Sequence, residues 1–205
     1  MALPDDLQLH RCLPARDRGH PGDPGSVGSD RRASGLSGFF DLPDEPPGAG
    51  LRLIVRTDGA AKGNPGPASS GAVLIDAAAP GSADPLARPL ATISEYLGVR
   101  TNNVAEYVGV VRALALALEL GAAEVDLLLD SKLIVEQVNG RWRVKDLKIA
   151  PLYAEVRASL GQFRRWSARH VPRAQNSAAD ALANEAIERV RAGGPFVVVR
   201  RPDRP

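Results

Sequence analysis

Four acidic residues, Asp58, Glu106, Asp130 and Asp180, stand at points where a folded chain can bring side chains together. Asp58 follows the alternating apolar run Leu51-Arg52-Leu53-Ile54-Val55, which reads as a strand, and precedes a glycine-rich turn, Gly59 to Pro67. Asp130 follows a second apolar run, Val125 to Leu129, while Glu106 and Asp180 fall at the starts of predicted helices. Carboxylates gathered in one place repel, and without cations some of them acquire raised pKa values. Hard divalent cations relieve the repulsion, and Mg²⁺ in particular keeps waters and accepts substrate phosphate oxygens as ligands. Two such ions about 4 Å apart activate a water and stabilise the leaving oxygen of a phosphodiester. The chemistry within reach of this set is metal-assisted phosphodiester hydrolysis.

Each acid also has an ordinary local use. Asp58-Gly59 is a common turn pair. Asn103 and Glu106 have the spacing of a capping box, as do Ser177 and Asp180, and Asp130 can cap its helix directly. What favours one site is the conjunction. Asp58 and Asp130 lie at strand C-terminal ends, where open α/β sheets place their ligands, and the two helix starts can face the same edge.

The elements that must position the acids follow in order. Strands are predicted at 51–57, 70–76 and 90–99, joined by short connections as an antiparallel meander. Arg100-Thr101-Asn102-Asn103 signals a helix start, and the run from Val104 to Leu120 is helical, ended by Gly121. A strand at 125–129 follows a crossover helix and so pairs in parallel with an earlier strand. Then come a short helix from Asp130 to Asn139, a basic connector from Arg141 to Lys148, a helix at 149–160, a strand at 164–171 and an alanine-rich helix from Ser177 to about Arg191. This is an α/β fold of order β-β-β-α-β-α-α-β-α: a mixed five-stranded sheet flanked by helices. Phe196 to Val199 either adds an edge strand or trails. The domain spans 50–192, after a Pro/Gly/Arg-rich extension at 1–49 read as disordered and before a C-terminal tail at 193–205.

Composition narrows the classes. The chain has 205 residues, 44% of them hydrophobic but only 4% aromatic, so its core is built from Ala, Leu and Val. A single cysteine, Cys12, excludes an internal disulfide and a cysteine zinc site. His10, His20 and His170 are too scattered for a histidine metal site. No apolar stretch approaches the roughly 20 residues that span a bilayer, and the N-terminus has no apolar signal region. A cytoplasmic protein with no membrane association, working as a monomer, is expected. Net charge is only +2, but basic residues dominate from Arg141 to Arg173, which suits a polyanionic partner or a solvated face equally.

Thr57-Asp58-Gly59-Ala60-Ala61-Lys62-Gly63-Asn64-Pro65-Gly66-Pro67-Ala68, Thr101-Asn102-Asn103-Val104-Ala105-Glu106, Asp130-Ser131 and Asn176-Ser177-Ala178-Ala179-Asp180-Ala181-Leu182-Ala183 resemble, in residues, order and interval, type 1 ribonuclease H. The resemblance covers about Leu51 to Arg191. It implies a ribonuclease H-like fold and an endonuclease cleaving the RNA strand of RNA·DNA hybrids. It implies two Mg²⁺ ions, with Mn²⁺ as an alternative, held by Asp58, Glu106, Asp130 and Asp180. It further implies that Gly59, Asn64, Thr101, Asn102 and Asn103 line the hybrid's minor groove, where amides and close backbone read 2′-hydroxyls, with Arg173 and Asn176 nearby.

Two departures from the family pattern stand out. Longer members carry an extra helix and basic loop; here Asn139 to Lys145 runs almost directly into the next helix, as in a shorter subclass without that protrusion. Arg141, Arg143, Lys145 and Lys148 are then candidates for phosphate contacts, and Trp142 is expected in the core. Many members also carry a histidine on a mobile loop before the fourth acid. Counting back reaches His170, which reads better as strand end, with proton shuttling as its alternative role. Rival functions on this architecture are a two-metal DNA nuclease or strand transferase and an inactive nucleic-acid-binding module.

Overall fold

The computed structural model describes residues 50–201. The extension at 1–49, with His10, Cys12 and His20, lies outside the described residues, as does 202–205. Strands β1 (Leu51–Ala61), β2 (Gly66–Asp76) and β3 (Ala91–Arg100) form the expected antiparallel meander. Helix α1 (Asn102–Glu119) then crosses the sheet, and β4 (Ala122–Leu129) returns parallel to β1. Helices α2 (Lys132–Val138) and α3 (Ala150–Leu160) precede β5 (Arg165–His170), which pairs in parallel with β4. A single 3₁₀ turn at Arg173–Gln175 leads into α4 (Ser177–Arg191).

The sheet has six strands rather than five, in the order β5-β4-β1-β2-β3-β6. The sixth, β6 (Val197–Arg200), lies in the stretch read as a tail and pairs antiparallel with β3. Its three consecutive valines suit a strand, and β3 offers it an otherwise free edge. Arg189 fastens the approach by donating to the Pro195 carbonyl and to both the hydroxyl and the carbonyl of Ser94.

One face of the sheet packs against α1 and α3 through Leu53, Val55, Leu114, Leu127, Leu129, Val156 and Leu160, all fully buried or nearly so. Helix α4 covers the other face over Val73 and Ile75, its Ala179 buried against them. Small residues on both helices let them lie close to the strands. Trp142, expected in the core, is 47% exposed: the connector from Arg141 to Lys148 runs over the surface and has no layer above it. Among the described residues no helix is long and apolar enough to cross a membrane.

Candidate active site

Strand β1 does not end at Asp58. Its ladder with β4 stops at the pair Thr57–Leu129, while its ladder with β2 continues to Ala61–Ala68. Asp58 and Asp130 are therefore the next residues along two neighbouring parallel strands at the point where they part. Strands that pair lie about 4.8 Å apart, so the two carboxylates start from adjacent backbone.

Two glycines bring in the other acids. A Cβ on Gly59 would stand 2.4 Å from the Glu106 amide nitrogen and 2.8 Å from the Ala105 carbonyl carbon, so α1 touches β1 backbone to backbone beside Asp58. Gly71, directly opposite Asp58 on β2, does the same for the other face. A Cβ there would stand 2.2 Å from the Ala179 carbonyl oxygen, one residue before Asp180. The glycine after Asp58, read from sequence as a turn residue, is thus a packing residue inside a strand.

All four acids line one cleft of about 300 Å³, together with Gly59, Lys62, Asn102, Arg173 and Asn184. Larger cavities of about 750 and 560 Å³ lie elsewhere, but neither gathers more than two acids. The Gly59 amide donates to Asp58 at 2.8 Å, and Asn102 donates to Glu106 at 2.7 Å. Asn176 donates to Asp130 at 2.8 Å, and Arg173 donates to Asp180 at 2.7 Å. Burial, then the charge of Asp130 and the adjacent Asp180 carboxyl, push the Asp58 acid up to about 8. Burial, reinforced by Asp130, also raises Glu106, against the opposing hydrogen bond from Asn102.

The capping roles fail one by one. Thr101, not Asn103, is the N-cap of α1, its hydroxyl accepting from the Val104 amide at 3.4 Å. The helix therefore starts earlier than expected, and Glu106 lies in its second turn. Asn103 is exposed and does not line the cleft. The N-cap of α2 is Ser131, so Asp130 precedes it. The N-cap of α4 is Asn176, whose side chain caps nothing. It is 1% exposed and spends its amide on the Thr57 carbonyl and Asp130, each at 2.8 Å, so it holds the acid from behind and cannot itself meet a substrate. Asn64 accepts from the Asn102 amide at 3.2 Å, tying the β1–β2 turn to the start of α1. His170 ends β5, exposed, with its Nε2 3.1 Å from the Asp130 carbonyl and outside the cleft. Sequence reasoning missed Lys62 and Asn184. The signal was present: Asn184 is one helical turn beyond Asp180, and it donates to that residue's carbonyl and carboxylate.

The donor set suits a hard divalent cation. All four groups are carboxylates, Asp58 is destabilised as an anion, and Glu106 keeps one carboxylate oxygen buried with no hydrogen-bond partner. As the side chains stand, each on its own protein partner, no three converge tightly enough among the described residues to ligate a single ion.

A family profile described as reverse transcriptase-like matches residues 56–186. The chain is 44% identical over 138 residues to the bifunctional protein Rv2228c of Mycobacterium tuberculosis, covering 67% of this chain and 36% of that protein. It thus spans about a third of the mycobacterial relatives it matches. It is 40% identical to ribonuclease HI of Halobacterium salinarum, covering 69% of this chain and 67% of that one. Among solved structures, the N-terminal RNase H domain of Rv2228c superposes with a TM-score of 0.63 at 42% identity, over 70% of this chain and 98% of that one. LC11-RNase H1, solved in complex with an RNA/DNA hybrid, gives 0.59 at 36% identity, over 68% and 99%. With the motifs, the sheet order and these likenesses in agreement, the chain belongs to the type 1 ribonuclease H family.

Proposed function

We propose that this protein is an endonuclease that hydrolyses the RNA strand of RNA·DNA hybrids with the help of two divalent cations, Mg²⁺ or Mn²⁺. The observation that carries the reading is the convergence of Asp58, Glu106, Asp130 and Asp180 on one cleft beside Asn102 and the Gly59 backbone. The hybrid as substrate is supported by the likeness to LC11-RNase H1.

In this reading Asp58, Glu106, Asp130 and Asp180 hold the cations, which, when bound, supply an activated water and stabilise the leaving oxygen. The chain's own residues do the rest. Asn102 orients Glu106 from one side, and Asn176 orients Asp130 from behind. The Asn64–Asn102 bond joins the turn and the helix start into one surface for the minor groove, where Gly59, Asn64, Thr101, Asn102 and the outlying Asn103 meet 2′-hydroxyls. Arg173 and Lys62 bring positive charge to a phosphate placed over the acids. A monomer working in the cytoplasm completes this reading.

The test is cleavage of end-labelled RNA·DNA hybrid, duplex DNA and single strands, with MgCl₂ or with EDTA, by the full chain and by Asp58→Asn. Metal-dependent cutting of hybrid RNA alone is expected. Cutting of duplex DNA points instead to a DNA nuclease, and hybrid binding without cutting to a binding module. Undiminished cleavage by Asp58→Asn removes the four-acid site.

A further inference from the structure

Arg56 is a buried arginine on the first acid's strand that neither the apolar core nor the cleft accounts for. It lies two residues before Asp58, on the same face of β1, and is 2% exposed. Its neighbours across the sheet are Val73 on β2 and Leu128 on β4. No carboxylate pairs with it among the described residues; the charge it feels is that of Asp84, at a distance that makes no ion pair. One guanidinium nitrogen donates to the Gln175 carbonyl at 2.8 Å, and its buried Nε has no partner at all. An arginine side chain 2% exposed between aliphatic neighbours, with its Nε buried and unpartnered and a single hydrogen bond, is expensive. Methionine or leucine would fill the same space more cheaply, so folding stability alone does not explain an arginine here.

What the expense secures is the turn Arg173–Gln175. That turn is tied to β1 at two adjacent residues, by Arg56 to the Gln175 carbonyl and by Asn176 to the Thr57 carbonyl, both at 2.8 Å. Its ends carry the two side chains that hold the far acids: Arg173 on Asp180 at 2.7 Å and Asn176 on Asp130 at 2.8 Å. A shift of this one turn displaces the partners of two acids at once, while Asp58 stays on its strand.

We propose that Arg56 is a positioning residue for the cleft. By clamping the Gln175 carbonyl it sets the turn that orients Asp130 and Asp180 against Asp58. This rests on the reading of the cleft as a cation-binding nuclease site, and it predicts that a residue outside the cleft controls cation affinity.

The experiment compares the full chain with Arg56→Met and Arg56→Lys. Four quantities are read: thermal stability, MnCl₂ affinity by calorimetry without nucleic acid, hydrogen exchange of the Asn176 side-chain amide by NMR, and kcat and KM on an RNA·DNA hybrid. Arg56→Met is expected to be as stable as the wild type or more so. Its cation affinity and kcat should fall about tenfold, the scale seen when groups supporting metal ligands are removed. KM should change little, and the Asn176 amide should exchange faster. Arg56→Lys, which keeps the charge and a donor, should recover part of the affinity. Wild-type cation affinity and amide protection in Arg56→Met overturn the proposal. Should that variant not fold, Arg56→Gln, neutral and too short to reach Gln175, takes its place. If that also fails to fold, Arg56 serves the core alone and the proposal is overturned. If the wild type binds cations but leaves hybrids intact, the nuclease reading fails while affinity and exchange still decide the role of Arg56.

Discussion

Gly59 and Glu106 touch through their backbones: the space where a Cβ of residue 59 would sit is 2.4 Å from the Glu106 nitrogen. The contact fixes how near α1 can carry its carboxylate to Asp58. Gly59→Ala must push the helix off the strand, and overpacking of this kind costs about 1–3 kcal/mol. The neighbour is backbone and cannot swing aside, so the upper end is expected, together with loss of hybrid cleavage. Gly71→Ala should act alike through α4, against the Ala179 carbonyl at 2.2 Å. Urea midpoints at unchanged slope measure both. A Gly59→Ala protein as stable as the parent would show that the close approach is not obligatory.

The raised Asp58 acid gives a pH dependence of definite sign. Its ordinary value is 3.8 and its folded value about 8, raised by burial and by Asp130 and Asp180. Between those limits the folded protein holds a proton that the unfolded chain has released. Stability of the metal-free protein from this group therefore falls as pH rises from about 4 to about 8. Asp58→Asn should flatten that slope and raise the melting temperature near pH 8. Cation binding must expel the proton, so affinity should weaken as pH drops below about 8, and calorimetry in buffers of different ionisation enthalpy should register proton release near pH 7. Cation binding at that pH with no proton released would contradict the raised acid.

Sequence periodicity carries far in this chain where an element has one job. Helix α4 begins and ends where its alanine-rich pattern does, and α1 is visible from its long apolar run between Asn103 and Gly121. Asp58, Glu106, Asp130 and Asp180 are legible as one site because two neighbouring strands and two helices carry them to one edge of the sheet, although Asp58 is not the end of its strand and Glu106 is not in the first turn of its helix. What is not legible depends on a third dimension. Gly59 looks like a turn residue until α1 is laid on it. Asn176 looks like a turn residue beside the substrate until its amide is found behind Asp130. Val197 to Val199 can be judged strand or tail only when the edge of β3 is known to be free. Trp142 looks like core by its chemistry, yet no element covers the connector that carries it.

His170 and Arg173 compete for the position beside the fourth acid, and the geometry separates them. Arg173 reaches Asp180 at 2.7 Å from the cleft wall, whereas His170 faces the Asp130 carbonyl from outside. A histidine acting as general acid or base contributes about 10²–10⁴-fold, so His170→Ala should reduce turnover by less than about fivefold if it has no such role. Arg173→Ala should lower kcat/KM at least about tenfold, near 1.4 kcal/mol of transition-state stabilisation. Because the Arg173 side chain is 78% exposed, the same change should cost under about 1 kcal/mol of folding stability. Initial rates and melting curves of the two variants settle the assignment; a hundredfold loss in His170→Ala reverses it.

The connector from Arg141 to Lys148 is the remaining place where this chain can grip a polyanion. Arg141 is bound to Glu136 and is therefore partly spent. Arg143, Lys145 and Lys148 make no ion pair among the described residues. The connector is held at its base by Gln137, which donates to the Arg143 carbonyl at 3.3 Å and accepts from Tyr107, the residue after Glu106, at 2.7 Å. Its charges thus stand in a fixed relation to the acid-bearing helix. If they meet hybrid phosphates, Arg143→Ala with Lys145→Ala should weaken binding of an uncleaved hybrid in EDTA and reduce the slope of log K against log salt by about 0.7–0.9 for each phosphate no longer neutralised. The turnover of bound hybrid should be unchanged, because neither residue touches the acids. Binding measured by fluorescence anisotropy between about 50 and 200 mM salt, the range where such phosphate neutralisation dominates affinity, is the check. An unaltered slope would mean that the connector is only a solvated surface and that phosphate binding is confined to the cleft, at Lys62 and Arg173.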